Sequence, residues 1–234
     1  MFGNGGLAKG LGFLYRKGLR QFFATQSNSL AAKMRSIMLL PNPGMELKPH
    51  NRKILESLVF LIHEALGRGY RPTQYDLVKS IFIADYHHMN KYGRPVTYDT
   101  PHAMTHGPVP TRAYDMLKPS FNWPAAYGLE AAPFSMRDYP EKGPTVREYY
   151  NPSRAPDYRV LSKSDLNALS DALVYVIEKG FAGTKDWTHQ LPAYKSAWAS
   201  RGFSESVPMD LAALLEGNGE EDAEEIIFAS KHLA

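Results

Sequence analysis

The stretch GRPVTYDTPHAMTHGPVP at 93–110 constrains the fold more than any other part of the chain. It follows two runs with helical apolar spacing and is itself unable to be helical. Arg94 and Thr100 each precede a proline, which pushes both toward extended backbone. Upstream, Ile54, Leu55, Leu58, Val59, Ile62, Ala65 and Leu66 recur at helical spacing, with Gly67 or Gly69 as the stop. The second helix starts at Thr73, where Thr73-Gln-Tyr-Asp76 resembles a capping box, and buries Leu77, Ile81, Phe82 and Ala84. It ends at Tyr92-Gly93, where glycine can take a left-handed cap. A short helix is expected at 110–118, framed by Pro110 and Leu117.

Residues 119–160 are irregular, with seven prolines and the aromatics Phe121, Trp123, Tyr127, Phe134, Tyr139, Tyr149, Tyr150 and Tyr158. Short strands are expected near 145–150 and 157–161, paired as a hairpin. Ser162-Lys-Ser-Asp165 opens another helix, whose Leu166, Leu169, Leu173, Val176 and Ile177 run to Gly180. Short helices near 184–190 and 192–200 follow, then one near 219–232 with acids first and Lys231-His232 last, which complements the helix dipole. The pattern predicts a mainly α fold: a multi-helix domain with a small antiparallel β element drawn from the 94–104 and 145–161 regions.

The 234 residues, 44% hydrophobic and 22% charged, have a globular composition. Zero cysteines exclude disulfides, a thiol nucleophile and thiolate metal ligation, and no apolar run reaches membrane-spanning length. Charge divides the chain. Residues 1–48 hold seven Lys/Arg against Glu46 alone, a net +6, whereas the remainder holds 20 basic against 23 acidic residues, a net −3. Residues 1–44 therefore read as a basic, glycine-rich, poorly ordered leader that ends at LPNPG, with 45–234 as the single folded domain. The amphipathic spacing of Leu7, Leu11, Leu14 and Leu19 against Lys9, Arg16 and Arg20 would suit a membrane surface. A frayed extension from an upstream start codon accounts for it more simply. The mildly acidic body argues against nucleic acid as a partner.

Histidines 87, 88, 102 and 106 lie near Asp85 and Asp99, so a metal-dependent site on Asp85, His88, His102 and His106 is one alternative. Adjacent helical histidines diverge by about 100°, and no His-Glu-x-x-His is present, so the spacing is a weak ligand signal. A DNA-binding autoregulator is a second alternative. The GRGYRPTQ link is too long for a tight helix-turn-helix, however, and the second helix carries Asp76 and Asp85. No Gly-x-Ser-x-Gly elbow or phosphate-binding glycine loop occurs. An acid late in a helix opposes the negative dipole end, so Asp85 is expected to pair with Arg94.

The order Ile83-Ala84-Asp85, His88, Tyr92-Gly93-Arg94-Pro95-Val96-Thr97, Asp99, Ala103-Met104, Gly107-Pro108-Val109-Pro110, Tyr114-Asp115 and Leu117 resembles the Panacea domain, the SocA-like or phage-associated antitoxin family. A second block, Leu161-Ser162, Asp165-Leu166, Leu169, Thr188-His189 and Ala197-Trp198, is similar to the same family. The likeness covers about 51–200. It departs at 98–102 and in the length of 119–156, and the leader has no counterpart in the family.

The resemblance implies a cytoplasmic antitoxin without cofactor or catalytic centre. Such a protein neutralises a cognate protein toxin encoded beside it, in some members by delivery to an AAA+ protease. The motif residues Asp85, His88, Tyr92, Gly93, Arg94, Pro95, Gly107, Pro108 and Pro110 would then form a scaffold. Trp123, Phe134, Tyr149 and Tyr150 would touch the toxin, since aromatics dominate interface energetics.

Overall fold

A computed structural model describes residues 47–139, 146–217 and 219–232. The leader expectation, residues 1–44, lies outside them. The described domain is mainly helical, with seven helices and two small antiparallel sheets. Helix α1 (Asn51–Gly67) buries ten residues, including Ile54, Leu58, Leu61 and Ile62, and is enclosed on most sides. Helix α2 (Gln74–Tyr92) begins with the expected capping box: Asp76 Oδ2 accepts from Thr73 N at 2.8 Å. It ends at Gly93, whose φ of 70° takes the left-handed cap.

Strands β1 (Pro101–Met104) and β2 (Gly107–Pro110) form a hairpin, and β5 (Ser206–Pro208) pairs with the other edge of β1. The prolines are compatible with the sheet because Pro108 and Pro110 lie on an edge strand and Pro101 opens the central one. Helix α3 (Thr111–Met116) follows directly, then α4 (Trp123–Tyr127). Strands β3 (Ser135–Asp138) and β4 (Arg147–Tyr150) pair with Tyr149 opposite Met136. The expected partner of β4, 157–161, is turn and loop instead. It is held by side chains: Glu56 takes both Arg154 guanidinium nitrogens at 2.7 and 2.8 Å and Asp157 N at 2.7 Å.

Helix α5 (Lys163–Gln190) packs along α2. The two helices expected on either side of Gly180 are present within it, divided by a kink where Gly180 takes the non-helical φ 62°, ψ −171°. Helices α6 (Pro192–Ser200) and α7 (Gly219–His232) complete the domain.

Gly107 marks the tightest approach. At its φ of 97°, a Cβ would lie 2.7 Å from Thr188 Oγ1 and 2.8 Å from Lys79 Nζ. Gly107→Ala should therefore cost about 2–4 kcal/mol, from overpacking and backbone strain together. Gly93→Ala, at φ 70° in open space, should cost only about 1 kcal/mol. Thermal melts of the two variants check the contrast, and equal losses would refute the packing argument.

Candidate functional site

The connector between α2 and α3 is built by three aspartates. Asp85, in the last turns of α2, turns inward: its Oδ1 accepts from Val96 N at 2.7 Å and Thr97 N at 2.8 Å, and its Oδ2 accepts the Thr97 hydroxyl. These bonds grip the chain just before Tyr98, a buried residue with φ 56°. That conformation is costly for a non-glycine residue and persists where its surroundings over-determine it. On its other side Asp99 accepts from Arg112 N at 3.0 Å and Ala113 N at 2.8 Å. It thereby satisfies two open N–H groups of α3, whose own N-cap, Pro110, has no side chain to do so.

The third aspartate lies on another element. Asp165, at the start of α5, is fully buried; its Oδ2 accepts from Ser162 N at 2.9 Å and from Lys53 Nζ at 2.8 Å. Its Oδ1 faces Arg94 Nη2 at 2.9 Å as an ion-pair contact rather than an aligned hydrogen bond, with His88 Nε2 3.3 Å away. The expected Asp85–Arg94 pair is therefore corrected. Arg94 serves Asp165, because Asp85 is already occupied by the two backbone N–H groups and the hydroxyl that follow the helix end. His88 completes the junction: Nδ1 meets Arg94 O at 2.7 Å, and Nε2 meets Ser164 Oγ at 3.1 Å. Nδ1 must carry the proton, since a carbonyl can only accept.

Burial dominates the electrostatics. It pushes the Asp85 carboxyl up to about 7 against the hydrogen bonds from Thr97 and Val96, with the nearby Asp99 charge adding to the rise. Asp99 is pushed up to about 6 by burial, against its backbone bonds to Ala113 and Arg112. Burial would also raise Asp165, but the Lys53 hydrogen bond, the Ser162 N–H and the charges of Lys53 and Arg94 outweigh it and hold the carboxyl below its ordinary range. Burial pushes His88 down.

Asp85 sets a pH dependence. An unfolded Asp ionises near pH 4, so between about pH 4 and 7 the folded chain holds a proton that the unfolded chain has lost. The Asp85 contribution is thus complete at low pH and declines as pH rises through this window. Asp85→Asn mimics the protonated group. Wild type should lose stability relative to this variant between about pH 5 and about pH 8 in denaturant melts; a constant gap would show that Asp85 stays ionised.

The remaining motif residues serve the same frame. Tyr92 is half exposed and lies 4.6 Å, ring to ring, from His88. Pro95 carries the turn, its carbonyl accepting from Arg94 Nη1 at 3.1 Å. Pro108 O accepts the buried Lys79 ammonium at 2.6 Å. The four residues considered for a metal are not brought together. Asp85 and His88 are engaged as described, His102 Nδ1 meets Ser206 Oγ at 2.9 Å, and His106 packs edge-on against Phe181 at 5.4 Å. Among the described residues no group of three His, Cys, Asp or Glu could hold a metal ion.

Three of the four aromatics expected to touch a partner are placed differently from that expectation. Trp123, Phe134 and Tyr149 are buried and form an edge-to-face chain with centroids 5.8 and 5.6 Å apart. Tyr149 donates its hydroxyl to Leu117 O at 2.5 Å. They fill the space between β4, α4 and the end of α3, and in this conformation offer no area to a partner. Tyr150 alone of the four is half exposed, with Arg71 5.7 Å above its ring. Among the described residues the exposed large apolar side chains are Tyr92, Tyr158, Phe181, Phe203 and Phe228.

Sequence reasoning did not anticipate that Lys53, Arg94 and His88 converge on Asp165. The Ser162-x-x-Asp165 cap was legible, but its third role, as the counter-ion of the connector, needs the packing of α5 against α2. Lys79, on α2, is wholly buried, which its position in the sequence does not signal.

The described residues thus form a multi-helix domain whose glycine-proline connector is pinned by inward-facing aspartates. The family description "Antitoxin SocA-like, Panacea domain" matches residues 77–195, just over half of the chain. The protein belongs to this antitoxin family. Comparison with curated proteins and with solved structures finds no match. No helix among the described residues is long and apolar enough to cross a membrane.

Proposed function

We propose that this protein is the antitoxin of a toxin–antitoxin pair, acting in the cytoplasm by direct binding of a cognate protein toxin. Family membership supports the role. The observation that carries the mechanism is the inward engagement of the motif. Asp85 and Asp99 hold backbone N–H groups and Asp165 pairs with the part-buried Lys53, so the motif works as a scaffold. An acid or base in catalysis instead needs access to a substrate proton. Recognition then falls to the surface that this scaffold supports, where Tyr150, Phe203 and Phe228 offer apolar area. Aromatic side chains of this kind are common anchors of protein interfaces.

The test is co-expression with the protein encoded beside it. Growth should be restored, and the two chains should co-purify as a stoichiometric complex. A folded antitoxin that neither rescues nor binds would overturn the reading. The finer proposal is delivery of the toxin to an AAA+ protease. A toxin half-life shortened by the antitoxin only in cells holding that protease supports delivery, whereas an unchanged half-life assigns neutralisation to occlusion.

A further inference from the structure

The C-terminal end of α2, residues 215–216 and α7 border a cavity of about 140 Å³ that opens to solvent. Met89, Leu215 and Ile226 give it an apolar floor, two of them buried and Leu215 half-buried. Glu216, Asp222 and Glu225 are exposed and stand at its mouth. Neither Asp222 nor Glu225 forms an ion pair among the described residues, and the Glu216 carboxylate accepts only the Tyr86 hydroxyl, at 3.2 Å. Lys91, on the last turn of α2, holds its ammonium over the Tyr92 ring at 5.2 Å instead. Exposed carboxylates alone are a solvated face. Two independent observations point to an occupant. The first is room: a cavity of about 150 Å³ takes a group the size of benzene, and no three acids or histidines among the described residues could hold a metal ion. The second is the helix end. Asn90 and Gly93 line the same cavity, and no backbone N–H beyond the helix bonds Asn90 O or Lys91 O. Open carbonyls there carry the negative pole of the helix dipole. Beside the mouth, through the Tyr86–Glu216 bond, lies an aromatic shelf: Tyr86, the exposed His87 and the half-buried Trp187 meet with ring centroids 5.2, 5.8 and 5.9 Å apart.

We propose that this cavity docks an arginine side chain from a basic segment of the toxin, an inference that rests on the antitoxin reading and adds the chemistry of the partner to it. The aliphatic stem lies on Met89, Leu215 and Ile226, and the guanidinium donates to Asp222, Glu225 and the open end of α2. Arginine suits the site better than lysine, because its planar fork of five donors can serve several acceptors at once. Charge complementarity selects a basic segment: the first two turns of α7 carry Glu221, Asp222, Glu224 and Glu225, all exposed, which steers a cationic chain to this face. The shelf of Tyr86, His87 and Trp187 extends the site beyond one side chain, so a stretch of polypeptide fits it better than a free amine does.

The experiment titrates the full-length protein with N-acetylarginine amide, and separately with N-acetylcitrulline amide, which has the same shape without the charge. The methyl groups of Met89, Leu215 and Ile226 are followed by NMR. Saturable shifts are expected with the arginine probe, weakened by added salt, and none with the citrulline probe. The double variant Asp222→Asn, Glu225→Gln alters only exposed side chains, so it should melt like wild type and bind the arginine probe about tenfold or more weakly. No saturable shift, an equal response to citrulline, or unchanged affinity in the double variant overturns the site. The second arm measures toxin binding by both proteins, with a loss of about tenfold or more expected in the double variant. A double variant that binds and neutralises the toxin as wild type does removes the toxin as occupant and leaves the antitoxin reading standing. Shifts of the same methyl groups on concentrating the protein alone, abolished in the double variant, give the cavity to a second copy and likewise overturn the assignment. A wild-type protein that fails to bind the toxin overturns the antitoxin reading, while the arginine titration still decides the cavity.

Discussion

Asp85→Ala should lower the unfolding free energy by about 3–5 kcal/mol, which is roughly 10 °C of melting temperature for a domain of this size. The substitution leaves three buried donors, Val96 N, Thr97 N and the Thr97 hydroxyl, with no acceptor. Each such orphan costs about 1–3 kcal/mol, with some relief from relaxation and entering water. The damage should spread along the connector, because Tyr98 loses one of the two clamps on its positive φ and Asp99 then has to hold the start of α3 from a looser segment. Asp85→Asn keeps the acceptor for the two backbone N–H groups and should cost well under half as much. The two variants are compared by chemical denaturation at a pH near 5. Equal losses would mean that it is the charge, and not the acceptor geometry, that holds the connector.

Tyr149→Ala is expected to be as damaging, about 3–5 kcal/mol, by a different route. The residue is 0% exposed, stacks edge-on with Phe134 and anchors Leu117 O through its hydroxyl, so truncation opens a large cavity and orphans a carbonyl. Its backbone N–H also bonds Pro72 O at 2.9 Å, which ties β4 to the start of α2. Loss of toxin neutralisation in this variant should follow loss of the fold and be visible first as a lowered melting temperature. Tyr150→Ala, one position along on the opposite face of the strand, should melt within about 1 kcal/mol of wild type. A Tyr149→Ala protein that melts normally yet fails to rescue would return this residue to the interface.

The helices were legible because their signals are local. Thr73-x-x-Asp76 and Ser162-x-x-Asp165 satisfy helix N–H groups within three residues, and Gly93 ends α2 by its own backbone freedom, so neither needs the rest of the molecule. The connector was legible as rigid for the same reason. Its three-stranded sheet was not: β5 pairs with β1 about a hundred residues away, and a three-residue strand ending in proline carries no periodicity of its own. The strand at 147–150 was visible, but its partner lay upstream at 135–138, within a segment whose prolines mask any alternation.

The candidate site divides in the same way. Residue order by itself determined which residues make the motif, the family they belong to and the mainly α character of the domain, since helical period, caps and glycine-proline turns are properties of neighbours in sequence. Only the tertiary structure decided the partners. Asp85 was free to choose between Arg94 and the backbone beyond it, and the packing of α5 on α2 gave Arg94 to Asp165 instead. The same packing buried Lys79 without a counter-ion, and the fold around β4 drew Trp123, Phe134 and Tyr149 inside. A side chain's burial and its charge partner depend on what distant segments bring within about 4 Å, and no local pattern carries that information.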